Sequence, residues 1–186
     1  MAYKVYIDQG HNPESPNAGA EGNGYREQDL TYAVGRALYD LLTANPNFEA
    51  RLSRPTEDTV LGTSNAESLR LRVEDANRWG ADVFLSLHAN ASVLPEVSGS
   101  EALVYSQNSA AYSLAEDILR GLSAQTGLRD RGIFIRPGLY VLRKTAMPAV
   151  LVEMGFISNA SDARLMADRP DLFAQGIYDG VVAYFS

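Results

Sequence analysis

Two rhythms of apolar and polar residues run along the chain. Residues 3 to 8 form a short run, Tyr-Lys-Val-Tyr-Ile-Asp, that enters the turn-rich Gln9-Gly10-His11-Asn12-Pro13, which predicts a buried strand ending just before His11. From Leu30 the spacing becomes helical: Leu30, Ala33, Val34, Ala37, Leu38, Leu41 and Leu42 share one face, with Glu27 at the start of that helix. Residues 48 to 53 predict a second strand. Ser64-Asn65-Ala66-Glu67 has the form of a capping box, opening a helix that carries Leu69, Val73 and Ala76 to about Trp79 and stops at Gly80. Residues 81 to 87 are apolar without alternation, as expected of a central strand covered on both faces, and His88 follows directly. Residues 101 to 106 suggest another strand. Leu114, Ala115, Ile118, Leu119 and Leu122 mark a third helix before Gly127, and residues 129 to 138 predict an exposed turn region. Residues 149 to 154 are again a buried strand, with Glu153 near its end, and two short helical stretches lead to Phe185.

Strands alternating with helices predict an α/β fold: a single domain over residues 1 to 186, with a mostly parallel central sheet and helices on both faces. A length of 186 residues with 46% hydrophobic content supports one full core. The net charge of -7, with scattered Lys and Arg, leaves no basic stripe for phosphates and excludes nucleic acid as a partner. No run approaches the roughly 20 apolar residues of a membrane span, so no membrane insertion is expected. The N-terminus enters strand-like sequence at once, without a signal peptide. The absence of Cys removes thiolate ligands, a cysteine nucleophile and disulfides, so any metal must be held by His, Asp and Glu.

The chain has only two histidines, and both fall where a strand hands over to a loop. Ligands of open α/β sheets gather outside the carboxyl ends of the strands, so His11, His88 and Glu153 are placed to converge on one crevice. Two imidazoles and a carboxylate suit zinc and leave an open position for water or substrate, the mark of a catalytic rather than a structural site.

Four segments then carry a resemblance: Val5-Tyr6-Ile7-Asp8-Gln9-Gly10-His11, Glu27-Gln28-Asp29-Leu30, Ser86-Leu87-His88-Ala89-Asn90-Ala91, and Val150 through Glu153-Met154-Gly155-Phe156 to Asn159. In order and spacing the sequence resembles the zinc-dependent N-acetylmuramoyl-L-alanine amidases of autolysins, sporulation hydrolases and phage endolysins. The resemblance implies that His11, Glu27 and His88 bind one Zn2+ per chain and that Glu153 handles protons. It further implies hydrolysis of the amide between the lactyl group of N-acetylmuramic acid and L-alanine in peptidoglycan, at the bacterial cell wall; a monomer is expected. With no signal peptide, the expected routes there are export by other means, phage lysis, or excision from a longer protein. A carboxylate in a helix's first turn is favoured by the helix dipole, which suits Glu27 as an ionised ligand.

The sequence departs from the family pattern at Gln9, where proline is usual, and at Asn12-Pro13, where glycines are usual. The connection after His88 is short, whereas some relatives insert an inhibitory helix there, so an uninhibited site is expected. Several assignments stay open. Glu14 or Glu21 could supply the third ligand in place of Glu27. Asp8 either orients an imidazole or satisfies a turn. Arg143 could be a structural partner of Glu153, and Arg131 and Arg143 are candidate contacts to the acidic stem peptide. The rival functions are a wall-binding relative without activity and a zinc peptidase that cuts within the stem peptide.

Overall fold

The computed structural model describes residues 2–186. The elements follow in the order β1 (Tyr3–Gln9), β2 (Glu21–Gly22), β3 (Tyr25–Arg26), α1 (Glu27–Ala44), β4 (Phe48–Leu52), α2 (Asn65–Trp79), β5 (Val83–Asn90), β6 (Ser100–Val104), α3 (Ala110–Thr126), β7 (Asp130–Ile135), α4 (Tyr140–Lys144), β8 (Ala149–Phe156), α5 (Ala160–Asp168) and α6 (Pro170–Phe185). Six strands form one sheet ordered β4, β1, β5, β8, β6, β7, and β2 pairs with β3 apart from it. The first four of that order are parallel. β6 runs antiparallel to β8, and β7 runs parallel to β6.

Helices cover both faces, which is why β5 and β8 show no alternation. On one face Leu38 of α1, Ile118 of α3, Met166 of α5 and Ile177 of α6 pack over Val5, Leu85 and Val152. On the other, Val73 and Ala76 of α2 and Val141 and Leu142 of α4 pack over Tyr6, Phe84 and Leu151. Half of the expected capping box forms: Ser64 Oγ accepts from the Glu67 N–H at 3.1 Å, but the Glu67 carboxylate turns to the N–H of Thr63, one residue before the cap, at 2.8 Å. Gly80 ends α2 at φ 70°, a left-handed geometry that suits glycine.

Helices α3 and α6 approach almost backbone to backbone, because a Cβ at Gly121 would lie 2.1 Å from the Gly176 carbonyl oxygen and one at Gly180 would lie 2.5 Å from Ile118 Cα. The chain ends also meet, with the Tyr3 and Phe185 rings stacked at 4.0 Å between centroids.

The structure corrects three expectations. Residues 129 to 138 are not simply a turn region, since Asp130–Ile135 forms edge strand β7, whose half-buried, charged and glycine-containing sequence lacks an apolar rhythm. The last helix is a full 16 residues, and the short α4 was not foreseen. β5 runs on to Asn90, so His88 lies inside the strand rather than past its end.

Candidate active site

Parallel and antiparallel pairing places the reactive groups in a row. His88 on β5 and Glu153 on β8 are register partners, and Glu153 is in turn the partner of Glu101 on β6. Register partners project from the same face of a sheet, so these three side chains stand side by side near the carboxyl end of β5. His11 follows β1 at φ 69°, a left-handed backbone that a residue with a Cβ adopts only when its surroundings enforce it. Glu27 is the first residue of α1, and its N–H is bonded to the Ala20 carbonyl at 2.9 Å.

The Glu27 carboxylate spans both imidazoles. Its Oε2 lies 3.1 Å from His11 Nε2 and its Oε1 lies 3.0 Å from His88 Nδ1. The N–H groups of Ala20 and Ala89 hold the same two oxygens, at 2.9 and 3.0 Å. One donor atom from each of His11, Glu27 and His88 falls within 4.8 Å of the others, a spacing open to a shared cation. Burial pushes the Glu27 carboxyl up, but hydrogen bonds from both histidines outweigh it and hold the group well below the usual carboxylate range. Burial likewise pulls the His88 imidazole down, and the bond to Glu27 with the charges of Glu153, Glu27 and Asp8 overcomes it, leaving the pKa raised.

Glu153 is the opposite case. Its Oε2 is buried and has no hydrogen-bond partner among the described residues. Burial pushes its pKa up to about 7; the His88 charge pulls against this, while the Glu27 and Glu101 charges add to it. Asn90 Nδ2 donates to Glu101 at 3.0 Å, and Arg131 Nε donates to the same carboxylate at 2.7 Å. A cavity of about 150 Å³ opens beside the imidazoles, walled by Leu69, Leu139, Tyr140 and Val141.

His11, Glu27, His88 and Glu153 are therefore brought together. The alternative ligands Glu14 and Glu21 are exposed. Arg143 is exposed and forms no ion pair with Glu153, and Arg131 pairs with Glu101 instead. Asp8 takes neither of its expected roles, because it points along the β1 face into a buried pair with Arg72 at 2.6 Å and accepts from Ser86 Oγ at 2.8 Å. The loop departures have a physical use. The Gln9 N–H donates to Ser53 Oγ at 3.0 Å, a bond proline could not make, and Gln9 Oε1 accepts from the Arg54 N–H at 2.9 Å. Asn12 bonds Pro16 and Leu61. Residues 91 to 99 contain no helix, as the short connection implied.

Sequence reasoning missed Arg72 and Arg54, both fully buried beneath the loop that carries His11. Arg72 did leave a signal. It falls on the same helical face as Leu69, Val73 and Ala76, where an ordinary surface arginine has no place.

A family model described as N-acetylmuramoyl-L-alanine amidase matches residues 5–183. The chain belongs to that amidase family. It is 39% identical over 185 residues to the N-acetylmuramoyl-L-alanine amidase LytC of Bacillus subtilis, a match covering 97% of this chain and 35% of LytC. It is 37% identical to the amidase CwlM of Bacillus licheniformis, covering 95% of this chain and 65% of CwlM. The chain thus spans less than two thirds of either relative's length. Among solved structures, the catalytic domain of the amidase CwlV from Bacillus (Paenibacillus) polymyxa superposes with a TM-score of 0.85 at 35% identity, covering 98% of each chain. The amidase of Clostridium difficile 630 gives a TM-score of 0.89 at 30% identity, covering 99% of this chain and 97% of that one. This amidase-family domain therefore has the dimensions of a solved catalytic domain in its own right.

Proposed function

We propose that residues 1 to 186 form the catalytic domain of a zinc-dependent N-acetylmuramoyl-L-alanine amidase, acting as a monomer on cell-wall peptidoglycan. The observation that carries the proposal is the Glu27 carboxylate held between two imidazoles, with an unpartnered carboxylate one strand away in register with His88.

The donor set fits zinc. Imidazole nitrogen and carboxylate oxygen are both good ligands for it, and His11, Glu27 and His88 together supply three of them, leaving room for a fourth. His11 Nδ1 is buried without a partner, and Glu27, held ionised, offers the negative charge that a cation requires. Bound zinc would supply Lewis-acid polarisation of the scissile carbonyl and a water acidic enough to attack near neutral pH.

Within this reading the protein's own groups have separate tasks. Glu153, buried beside His88 with one oxygen unpartnered, takes the proton of the attacking water and returns it to the departing alanine nitrogen. The Ala20 and Ala89 N–H groups hold the Glu27 carboxylate in place between the two imidazoles. The test is release of stem peptides with a new N-terminal L-alanine from purified peptidoglycan, with and without a chelator, alongside zinc content. About one zinc per chain with chelator-sensitive release supports the proposal. Cleavage inside the stem peptide instead would establish a peptidase, and zinc without any product a silent relative.

A further inference from the structure

Arg72 lies in α2, is 1% exposed, and spends its guanidinium on the chain segment that ends in His11. Nη1 donates to Asp8 Oδ1 at 2.6 Å, to the Gln9 carbonyl at 2.6 Å and to Ser53 Oγ at 3.3 Å. Nη2 donates to the His11 carbonyl at 2.7 Å and to Asn12 Oδ1 at 3.2 Å. Nε reaches Ser68 Oγ, one turn back on the same helix, at 3.4 Å. A second buried guanidinium, Arg54, adds a contact of 3.4 Å to the same His11 carbonyl and anchors itself on the Gln28 carbonyl, one residue beyond Glu27, at 3.0 Å.

We propose that Arg72 is the positioning residue of His11, holding its left-handed peptide so that the imidazole faces Glu27 and His88. The inference rests on the metal-binding reading of those three residues. An ion pair serving only the core would need Asp8 alone. Here one fork grips residues 8, 9, 11 and 12 in succession, and its bond to His11 falls on the residue whose φ of 69° needs enforcement. The planar fork matters, because a lysine ammonium brings three donors to a single point and could not reach the five acceptors that the two Nη atoms meet on separate sides. Asp8, itself held by the Ser86 hydroxyl, cancels the guanidinium charge, so the support brings no net positive charge against a cation beside it. Arg54 joins the same carbonyl to the start of α1, which couples the His11 peptide to the helix that presents Glu27.

The experiment uses the full chain, wild type and Arg72→Lys, each stripped of metal and then titrated with zinc against a chromophoric chelator. Cobalt(II) loading of the same proteins supplies a visible spectrum that reports ligand geometry. The expected result is a metal-free melting profile that stays cooperative, zinc affinity lowered roughly tenfold or more, and an altered cobalt spectrum. Wild-type affinity and an unchanged cobalt spectrum in folded Arg72→Lys would overturn the proposal. Should Arg72→Lys fail to fold, the charge-balanced pair Asp8→Asn with Arg72→Met is judged by the same criteria. Failure of both to fold would also overturn it, in favour of a purely structural role. A wild-type protein that binds no zinc at all would instead defeat the metal reading, a separate result.

Discussion

Glu153 and Gly10 show how single side chains decide the chemistry of the site. In the proposed mechanism Glu153 moves protons and holds no metal, so Glu153→Gln should retain zinc while its turnover falls by about 10²-fold or more, measured as stem-peptide release beside metal content. A pH effect on stability follows from the same carboxyl. In the metal-free protein its pKa is raised from 4.5 to about 7, so between those values the folded chain holds a proton that the unfolded chain has lost. Stability therefore falls as pH rises through this window, on the order of 2 kcal/mol from this group. Urea unfolding of chelator-treated protein at pH 5 and pH 8 should show the loss in wild type and a smaller one in Glu153→Gln. Gly10 matters by what it lacks. A Cβ there would sit 2.5 Å from the Leu87 carbonyl oxygen and 2.6 Å from His88 Cε1, so Gly10→Ala should displace the imidazole and strain the β1–β5 pairing, weakening zinc binding in a chelator titration and lowering stability in urea unfolding. That His11, Glu27, His88 and Glu153 lie together was legible through the resemblance carried by the segments flanking each of them. Arg54, in the loop after β4, left no such signal, and Arg72 only its place on the apolar face of α2, because most partners of both guanidiniums lie far away in sequence. Asp8 misled for the same reason: its partner lies 64 residues away.

At the scale of elements, legibility follows burial. β1, β5 and β8 are covered on both faces and were readable as short, mainly apolar buried strands, and α1, α2 and α3 were readable from their single apolar faces. β7 has one neighbour and no fully buried residue, so nothing in Asp130-Arg131-Gly132 selects apolar side chains, and its pairing with β6 sets it instead. The meeting of α3 and α6 was equally hidden, since Gly121, Gly176 and Gly180 look like weak helix formers until their contact is seen. Their use predicts that Gly121→Ala, although it improves helix propensity, lowers stability by about 1–3 kcal/mol, because the new methyl meets the Gly176 backbone and not a side chain that can turn aside. Thermal or urea unfolding checks this, and a neutral or stabilising outcome would mean that the two helices can part without loss.

For the whole molecule, the candidate metal centre is a three-way junction. His11 comes from the loop after β1, Glu27 from the head of α1 and His88 from β5, so a bound cation would tie the first helix of one layer to two neighbouring strands of the sheet. Metal that binds only the folded form stabilises it by about 2.7 kcal/mol at a free concentration 100 times the dissociation constant. Zinc should therefore raise the melting temperature of wild type and of Glu153→Gln in calorimetry, a chelator should reverse it, and His88→Ala should show no such rise. The stacking of Tyr3 on Phe185 carries a consequence for how this domain can be deployed. β1 starts at Tyr3 and delivers His11 beyond its far end, seven strand residues away, which at about 3.3 Å per residue is roughly 20 Å of separation. Both chain ends thus share a single doorway at the back of the molecule. Additional modules could be hung from either end, or the two ends stitched together and the ring reopened elsewhere, without anything standing between the cleft and a polymer as bulky as a cell wall.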